Sequence, residues 1–336
     1  MKFIVFLMSV VLLISCQKKL PGTPPDIITE TTLHDTDDPA IWVNKENPSE
    51  SIVFGTDKDT DGAIYAFDLD GKIIEDKTIR GLKRPNNVDI RYDFKLNDST
   101  KVDLMVFTER ERKQIRLFSI PDMIPLDNGG YPVFEGETEP EFDFPMGISF
   151  YHSQVDSTLY IIVGRKNGPE TGYLHQFELK SDSTGVVIDL VRKFGKFSGK
   201  KEIEAIAVDD ALGFVYYSDE THCVRKYHAD PSKGDEELAC FGGETFKRDN
   251  EGIAIVAYEN EEGYIIVSNQ QAETFNIFSR KDNTFIKEIN LNTKQTDGCE
   301  VVTIPLNDTF KNGLFVAMND EKNFYFYDLA KLGLNQ

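Results

Sequence analysis

The chain has 336 residues, with 57 acidic against 37 basic side chains and a net charge of −20. That balance excludes nucleic acid as a natural partner, because phosphate backbones are bound by basic faces. It also repels small anions unless cations stand between them and the protein.

Residues 3–14 form an apolar run after Lys2. The run is too short to span a bilayer in a mature protein and reads as the core of a secretory signal over residues 1–15. It ends L-I-S-C at 13–16, which is similar to a bacterial lipobox and implies cleavage before Cys16 with lipidation of that thiol. The expectation is an exported lipoprotein that meets the membrane only through its anchor. Residues 16–26 then form the anchor and a tether rich in Pro and Gly. Residues 27–336 form a single domain. Beyond Cys16 the cysteines are Cys223, Cys240 and Cys299. An odd number leaves at least one thiol unpaired or paired between molecules. Their spacing matches no zinc site, and buried free cysteines are expected.

A domain longer than the ~250–300 residues that one compact core sustains calls for a repeat. One pattern recurs six times: an apolar strand, a short polar turn and a second apolar strand. The copies begin at Ile52, Leu104, Tyr160, Val215, Tyr264 and Leu314, spaced 52, 56, 55, 49 and 50 residues apart. A further short apolar strand precedes each copy: 40–43, 87–90, 147–150, 204–208, 252–256 and 299–302. Other strand candidates follow several copies, such as 285–289. No long segment of helical period appears. The pattern predicts an all-β, six-bladed propeller with about four antiparallel strands per blade. The last copy leaves little chain behind it, so residues 27–33 are predicted to close the final blade. Closure leaves no free edge, and the expected state is a monomer.

Innermost propeller strands line a central channel, and their starts gather at one mouth. Those starts carry Asp37 and Asp38, Asn86 and Asn87, Met146, Glu204, Glu251 and Asp297. The turns after the second strands offer Asp57, Lys58, Arg110, Arg165, Lys166, Asp219 and Glu220. Acids converging on one mouth cannot all stay ionised and unpaired. Ca²⁺ suits them, because it accepts six to eight oxygens in loose geometry. In the alternative reading, each acid caps its own blade by accepting backbone N–H bonds. The neighbouring Lys and Arg point to a phosphorylated ligand. The D-K-D-T-D-G segment at 57–62 opens like an EF-hand loop, but its twelfth position is Asp68 and strands flank it, so it reads as a hairpin turn. Trp42 reads as core, and His34 and His152 as structural.

Several segments resemble the β-propeller phytases: D-T-D-D-P-A-I-W-V at 35–43, N-N-V-D-I-R-Y-D-F at 86–94 and Y-H-S-Q at 151–154. The series continues with E-A-I-A-V-D-D at 204–210, N-E-G-I-A-I at 250–255, T-D-G at 296–298 and G-L-F-V-A at 313–317. The resemblance implies a six-bladed fold and calcium-dependent release of phosphate from phytate, myo-inositol hexakisphosphate. It implies catalytic calcium ions among Asp37, Glu204, Glu220, Glu251 and Asp297, with Asp249 beside them. It places a structural calcium at Asp38, Asn87 and the Val88 carbonyl, and substrate phosphates at Lys58, Arg110, Tyr151 and Lys166. The chain departs from the family at Asp59, where a second Lys is usual, at T-E-R-E-R over 108–112, where Arg110 and Arg112 compete, at Asn167, and at S-N-Q-Q-A over 268–272. These departures touch substrate contacts more than calcium acids.

No R-H-G-x-R-x-P segment is present, and no downstream cysteine has Arg six residues after it. Histidine-phosphatase and cysteine-phosphatase routes are therefore unsupported. Two rivals stand beside the phytase reading. One is a six-bladed metal-dependent lactonase, which needs one ion and few basic residues. The other is a non-catalytic binding propeller.

Overall fold

The computed structural model describes residues 20–183 and 185–334; the signal segment and Cys16 lie outside them. The described residues form six four-stranded antiparallel sheets, each a meander from the channel outward. Blade 1 comprises Thr36–Trp42, Ile52–Asp57, Gly62–Phe67 and Ile79–Leu82. Blade 2 comprises Pro85–Lys95, Lys101–Glu109, Gln114–Ile120 and Tyr131–Pro132. Blade 3 holds Pro145–His152, Leu159–Arg165, Thr171–Asp182 and Gly185–Lys196. Blade 4 holds Ile203–Asp209, Phe214–Asp219, Cys223–His228 and Ala239–Phe241. Blade 5 runs through Asn250–Ala257, Gly263–Asn269, Thr274–Ser279 and Phe285–Ile289. Blade 6 has Cys299–Val302, Leu314–Asn319 and Asn323–Asp328, completed by Ile27–Ile28 from the start of the domain. Each inner strand touches the next around the ring, including the last against the first.

The closing strand is regular only at Ile27 and Ile28, which pair with Phe326 and Tyr325. Backbone bonds carry the contact further, with Thr29 N donating to Phe324 O (3.0 Å) and Thr32 N to Lys322 O (2.8 Å). The preceding residues, expected as tether, also lie on the propeller. Thr23 N donates to Asn290 O (2.9 Å), and Asn290 Nδ2 to Leu20 O (3.1 Å). An extended Pro-rich segment has unpaired backbone groups, and here the outer edge of blade 5 satisfies them.

The blades hold together through apolar faces. Phe67 of blade 1 meets Phe324 of blade 6 edge-on at 5.8 Å, and Phe275 of blade 5 meets Phe315 of blade 6 at 5.5 Å. Trp42 is buried, as expected, and its Nε1 donates to Asp103 (2.8 Å). The cysteine expectation is corrected in part. Cys223 and Cys240 form a disulfide between the third and outer strands of blade 4, while Cys299 is buried and free.

One local device sets the channel mouth. In five blades the inner strand begins with the same bulge, spending three residues against two of its partner. Register slips between Thr36 and Pro39, Pro85 and Val88, Pro145 and Ile148, Ile203 and Ile206, and Asn250 and Ile253. Bulges re-aim side chains at a sheet rim. The re-aimed residues are Asp37 and Asp38, Asn86 and Asn87, Met146 and Gly147, Glu204 and Ala205, and Glu251 and Gly252. Blade 6 supplies Asp297 and Gly298 just before its inner strand. Glycine is required where neighbouring inner strands meet: a Cβ on Gly298 would lie 2.2 Å from Asp38 Oδ1, and one on Gly252 would lie 2.6 Å from Asp297 O.

Removing residues 20–32 strips blade 6 of its closing strand and exposes an edge. The melting temperature is expected to fall by at least ~5 °C relative to the intact domain; an unchanged melting curve would show that the ring closes without it.

Candidate active site

Two rings of side chains surround the mouth. The bulges supply the inner ring. The outer ring lies one residue past the second strands of blades 1 to 5, at Lys58, Arg110, Lys166, Glu220 and Gln270. A repeated backbone bond fixes it: Lys58 N donates to Asp35 O, Arg110 N to Arg84 O, Lys166 N to Phe144 O, Glu220 N to Glu202 O, and Gln270 N to Asp249 O, at 2.7–3.2 Å. Register explains the convergence, since each second strand ends opposite the start of its inner strand.

The rings form two acidic cradles. In the first, Lys58 Nζ lies 2.6 Å from Asp297 Oδ2 and 3.5 Å from Asp37 Oδ1. Asn86 Nδ2 donates to Asp37 Oδ2 (2.8 Å) and Glu204 Oε1 (2.8 Å), while its Oδ1 accepts from Arg110. Asn86 thus fixes two acids and one base. In the second cradle Glu220, Asp249 and Glu251 each bring a carboxylate oxygen within 4.8 Å of the others, and Glu202 and Glu204 make a similar group with Glu220. Lys201 sits among the second set. It touches Glu220 and lies 3.0 Å from Asp249 Oδ2 and 3.4 Å from Glu251 Oε1.

Protein donors satisfy these acids only in part. Asp37 Oδ1, Asp38 Oδ2, Glu220 Oε1, Asp249 Oδ1 and Glu251 Oε2 are buried and accept no hydrogen bond. Burial, then the charges of Glu220 and Glu204, drives the Glu251 pKa well above the usual carboxylate range. Burial and the Glu204 charge push Glu220 up to about 9. Burial raises Asp37 and Asp297 as well, against the charge of Lys58. Burial also opposes ionisation of Glu204, but Lys58, Glu251, Asn86 and Arg110 outweigh it and hold that acid down at about 2. Buried oxygens without donors, on acids that resist ionisation, suit a hard divalent cation, which would supply the missing charge. The capping alternative therefore fails at these residues.

A cavity of about 170 Å³ opens above the cradles, lined by Lys58, Arg84, Arg110, Lys166, Lys201, Glu202, Glu204, Glu251, Gln270 and Asp297. Of the competing arginines, Arg110 is the buried one at this mouth, whereas Arg112 is exposed and lies 3.3 Å from Glu109. Lys166 Nζ donates to Glu202 Oε2 (2.9 Å). Tyr151 is corrected: it lies at the far end of its inner strand, buried in the blade 3–blade 4 core and stacked on Tyr160 at 5.8 Å. The corresponding place at the mouth belongs to Met146, whose sulfur touches Arg110. Sequence reasoning missed Arg84, Lys201, Glu202 and Gln270. Only Gln270 carried a signal, its position one residue past a second strand. The turn at 57–62 behaves as a hairpin, with Asp57 buried and accepting from the backbone N of His34 and Asp35.

Asp38, Asn87 and Val88 face down the channel and line one hollow with Asp89, Arg91, Asp210 and Glu300. Asp89 accepts from Ser149 Oγ (2.9 Å) and Phe150 N (2.7 Å). Arg91 pairs with Asp210.

Residues 19–325 match the family model described as Phytase. The chain belongs to the phytase family. It is 28% identical over 301 residues to a 3-phytase of Bacillus subtilis (strain 168), covering 85% of this chain and 74% of that one. Solved propellers share the fold at low identity. The WD40 β-propeller domain of Doa1 is 11% identical with a TM-score of 0.54, covering 91% of this chain and 96% of its own. The Cps50 (Swd1) β-propeller domain of Myceliophteria thermophila is 10% identical with a TM-score of 0.50, covering 90% and 86%. Membership of the family decides against the lactonase and the non-catalytic propeller: this chain is a phosphatase.

Within the hollow, burial and then the Asp89 charge push Glu300 up to about 8, while burial pushes Asp89 up to about 6 against its hydrogen bonds from Phe150 and Ile90. Both acids line the channel hollow and are half-buried, so water reaches them. A raised carboxyl favours the protonated folded state. Its stabilisation is complete below the unfolded values of 4.5 and 3.8 and is lost as pH climbs through the folded ones. Thermal stability is therefore expected to fall between pH of about 5 and about 8, and Glu300→Gln to flatten the upper part of that slope. A variant slope equal to the parent's would contradict this assignment.

Proposed function

We propose that this phytase releases phosphate from phytate with calcium ions held by Asp37, Glu204, Glu220, Asp249, Glu251 and Asp297, and with a further ion at Asp38, Asn87 and the Val88 carbonyl. The observation that carries the reading is the set of buried carboxylate oxygens without donors, gathered beside a cavity that Glu204, Glu251 and Asp297 line together with Lys and Arg. Bound calcium would supply Lewis-acid charge for a phosphate and lower the pKa of an attacking water.

The chain's own residues do the rest. Asn86 holds Asp37 and Glu204 at fixed separation through one amide group, so the cradle is set before ligand arrives. Arg110 is buried, and a guanidinium keeps its charge in proteins. It offers a fixed charge where phosphate charge develops. Lys58, Lys166 and Arg84 line the remainder of the cavity. They are placed to hold neighbouring phosphates of a polyanion and so orient the ring, which converts binding energy into alignment. The acidic exterior explains why such a site needs cations before it accepts a polyanion.

The test is phosphate release from phytate, with calcium and then with excess chelator. Release is expected to require calcium. Glu251→Gln and Asp297→Asn should each lower kcat by at least ~10²-fold. Lys166→Ala should act mainly on KM. Release that persists in chelator would contradict the proposal.

A further inference from the structure

Lys201, like Arg84, leaves a loop that precedes an inner strand. Lys58, Arg110 and Lys166 each leave a turn that follows a second strand. Lys201 instead comes from the loop before the inner strand of blade 4, and its ammonium enters the cradle of Glu220, Asp249 and Glu251. One ammonium does not satisfy three buried carboxylates. With Lys201 in place, Glu220 Oε1 and Glu251 Oε2 still lack hydrogen-bond donors, and Asp249 Oδ1 has only the exposed Arg248 Nε at 3.5 Å.

The ammonium therefore occupies the position a cation would take, while leaving ligand oxygens open to a better one. The side chain is 34% exposed, in contrast to 15% for Lys58. It also lines the mouth cavity, so a rotation of its flexible four-carbon stem carries Nζ from the cradle into the cavity. A divalent ion and an ammonium in contact with the same acids repel each other, which supplies the force for that rotation.

We propose that Lys201 is a tethered counter-ion: it competes with the divalent cation for the Glu220, Asp249 and Glu251 cradle, and on displacement presents its ammonium to a substrate phosphate. The proposal rests on the cation-binding reading of the preceding section. It couples the two ligands, since filling the cradle releases a phosphate-binding group.

Calorimetric titration of calcium into chelator-stripped protein tests it, using the parent, Lys201→Met and Glu251→Gln. Glu251→Gln identifies the heat that belongs to this cradle. Lys201→Met is expected to bind calcium there roughly tenfold more tightly, because no competing state remains to be displaced, while its KM for phytate rises. A purely structural lysine would leave calcium affinity unchanged or weaken it, and either result in a parent that does bind the ion overturns the proposal. Acetylation of Lys201 in the parent, read by mass spectrometry, does not depend on the variant folding. Calcium should speed that modification several-fold, and an unchanged or slower rate overturns the proposal. Absence of calcium uptake by the parent would instead remove the cation reading on which it rests.

Discussion

Carboxylates drawn from four blades meet in a volume where protein donors satisfy only some of their oxygens. Blades 1, 4, 5 and 6 contribute Asp37, Glu204 and Glu220, Asp249 and Glu251, and Asp297. A buried charge without a partner costs several kcal/mol, and the chain carries that cost at several positions. The compensation within the protein is partial: Lys58 and Lys201 enter the two cradles, Asn86 ties Asp37 to Glu204, and Glu220 and Glu251 resist ionisation. The surrounding architecture can be understood as what holds this arrangement against its own repulsion.

Rigidity comes from repetition. The same three-against-two bulge opens five inner strands, and the same backbone bond fixes the turn residue in those five blades. Side chains at these two positions can change without disturbing the frame, because backbone bonds define the frame. Asp, Asn, Met and Glu all occupy the first bulge position, and Lys, Arg, Glu and Gln all occupy the turn. Apolar faces between blades fix the radius of the ring, and small residues such as Gly252 and Gly298 set how closely inner strands approach. A site of this kind is assembled by topology, with contributions that run from Asp297 alone in blade 6 to Lys201, Glu202, Glu204 and Glu220 in blade 4.

Much of this was legible in the sequence. The fifty-residue spacing of paired apolar strands gives the blade count, and strand starts locate Asp37, Asn86, Glu204, Glu251 and Asp297 at one mouth. Period and turn chemistry are local properties, so they survive in a linear reading. Lys201 and Arg84 were hidden because they sit in the loops before inner strands, where the strand pattern does not set the direction of a side chain. Tyr151 was misplaced because a residue six positions into an inner strand has already crossed to the opposite end of the channel. The disulfide between Cys223 and Cys240 was equally invisible, since adjacency of the third and outer strands in blade 4 depends on register, not on spacing.

The central claim is that the two cradles at the mouth are cation sites. Anomalous diffraction from crystals grown with calcium tests it most directly. The account predicts peaks among Asp37, Glu204 and Asp297 and among Glu220, Asp249 and Glu251, with Lys201 Nζ moved out of the second set. Fully ordered cradles that keep Lys58 and Lys201 in place, with calcium found only on the outer surface, would contradict it.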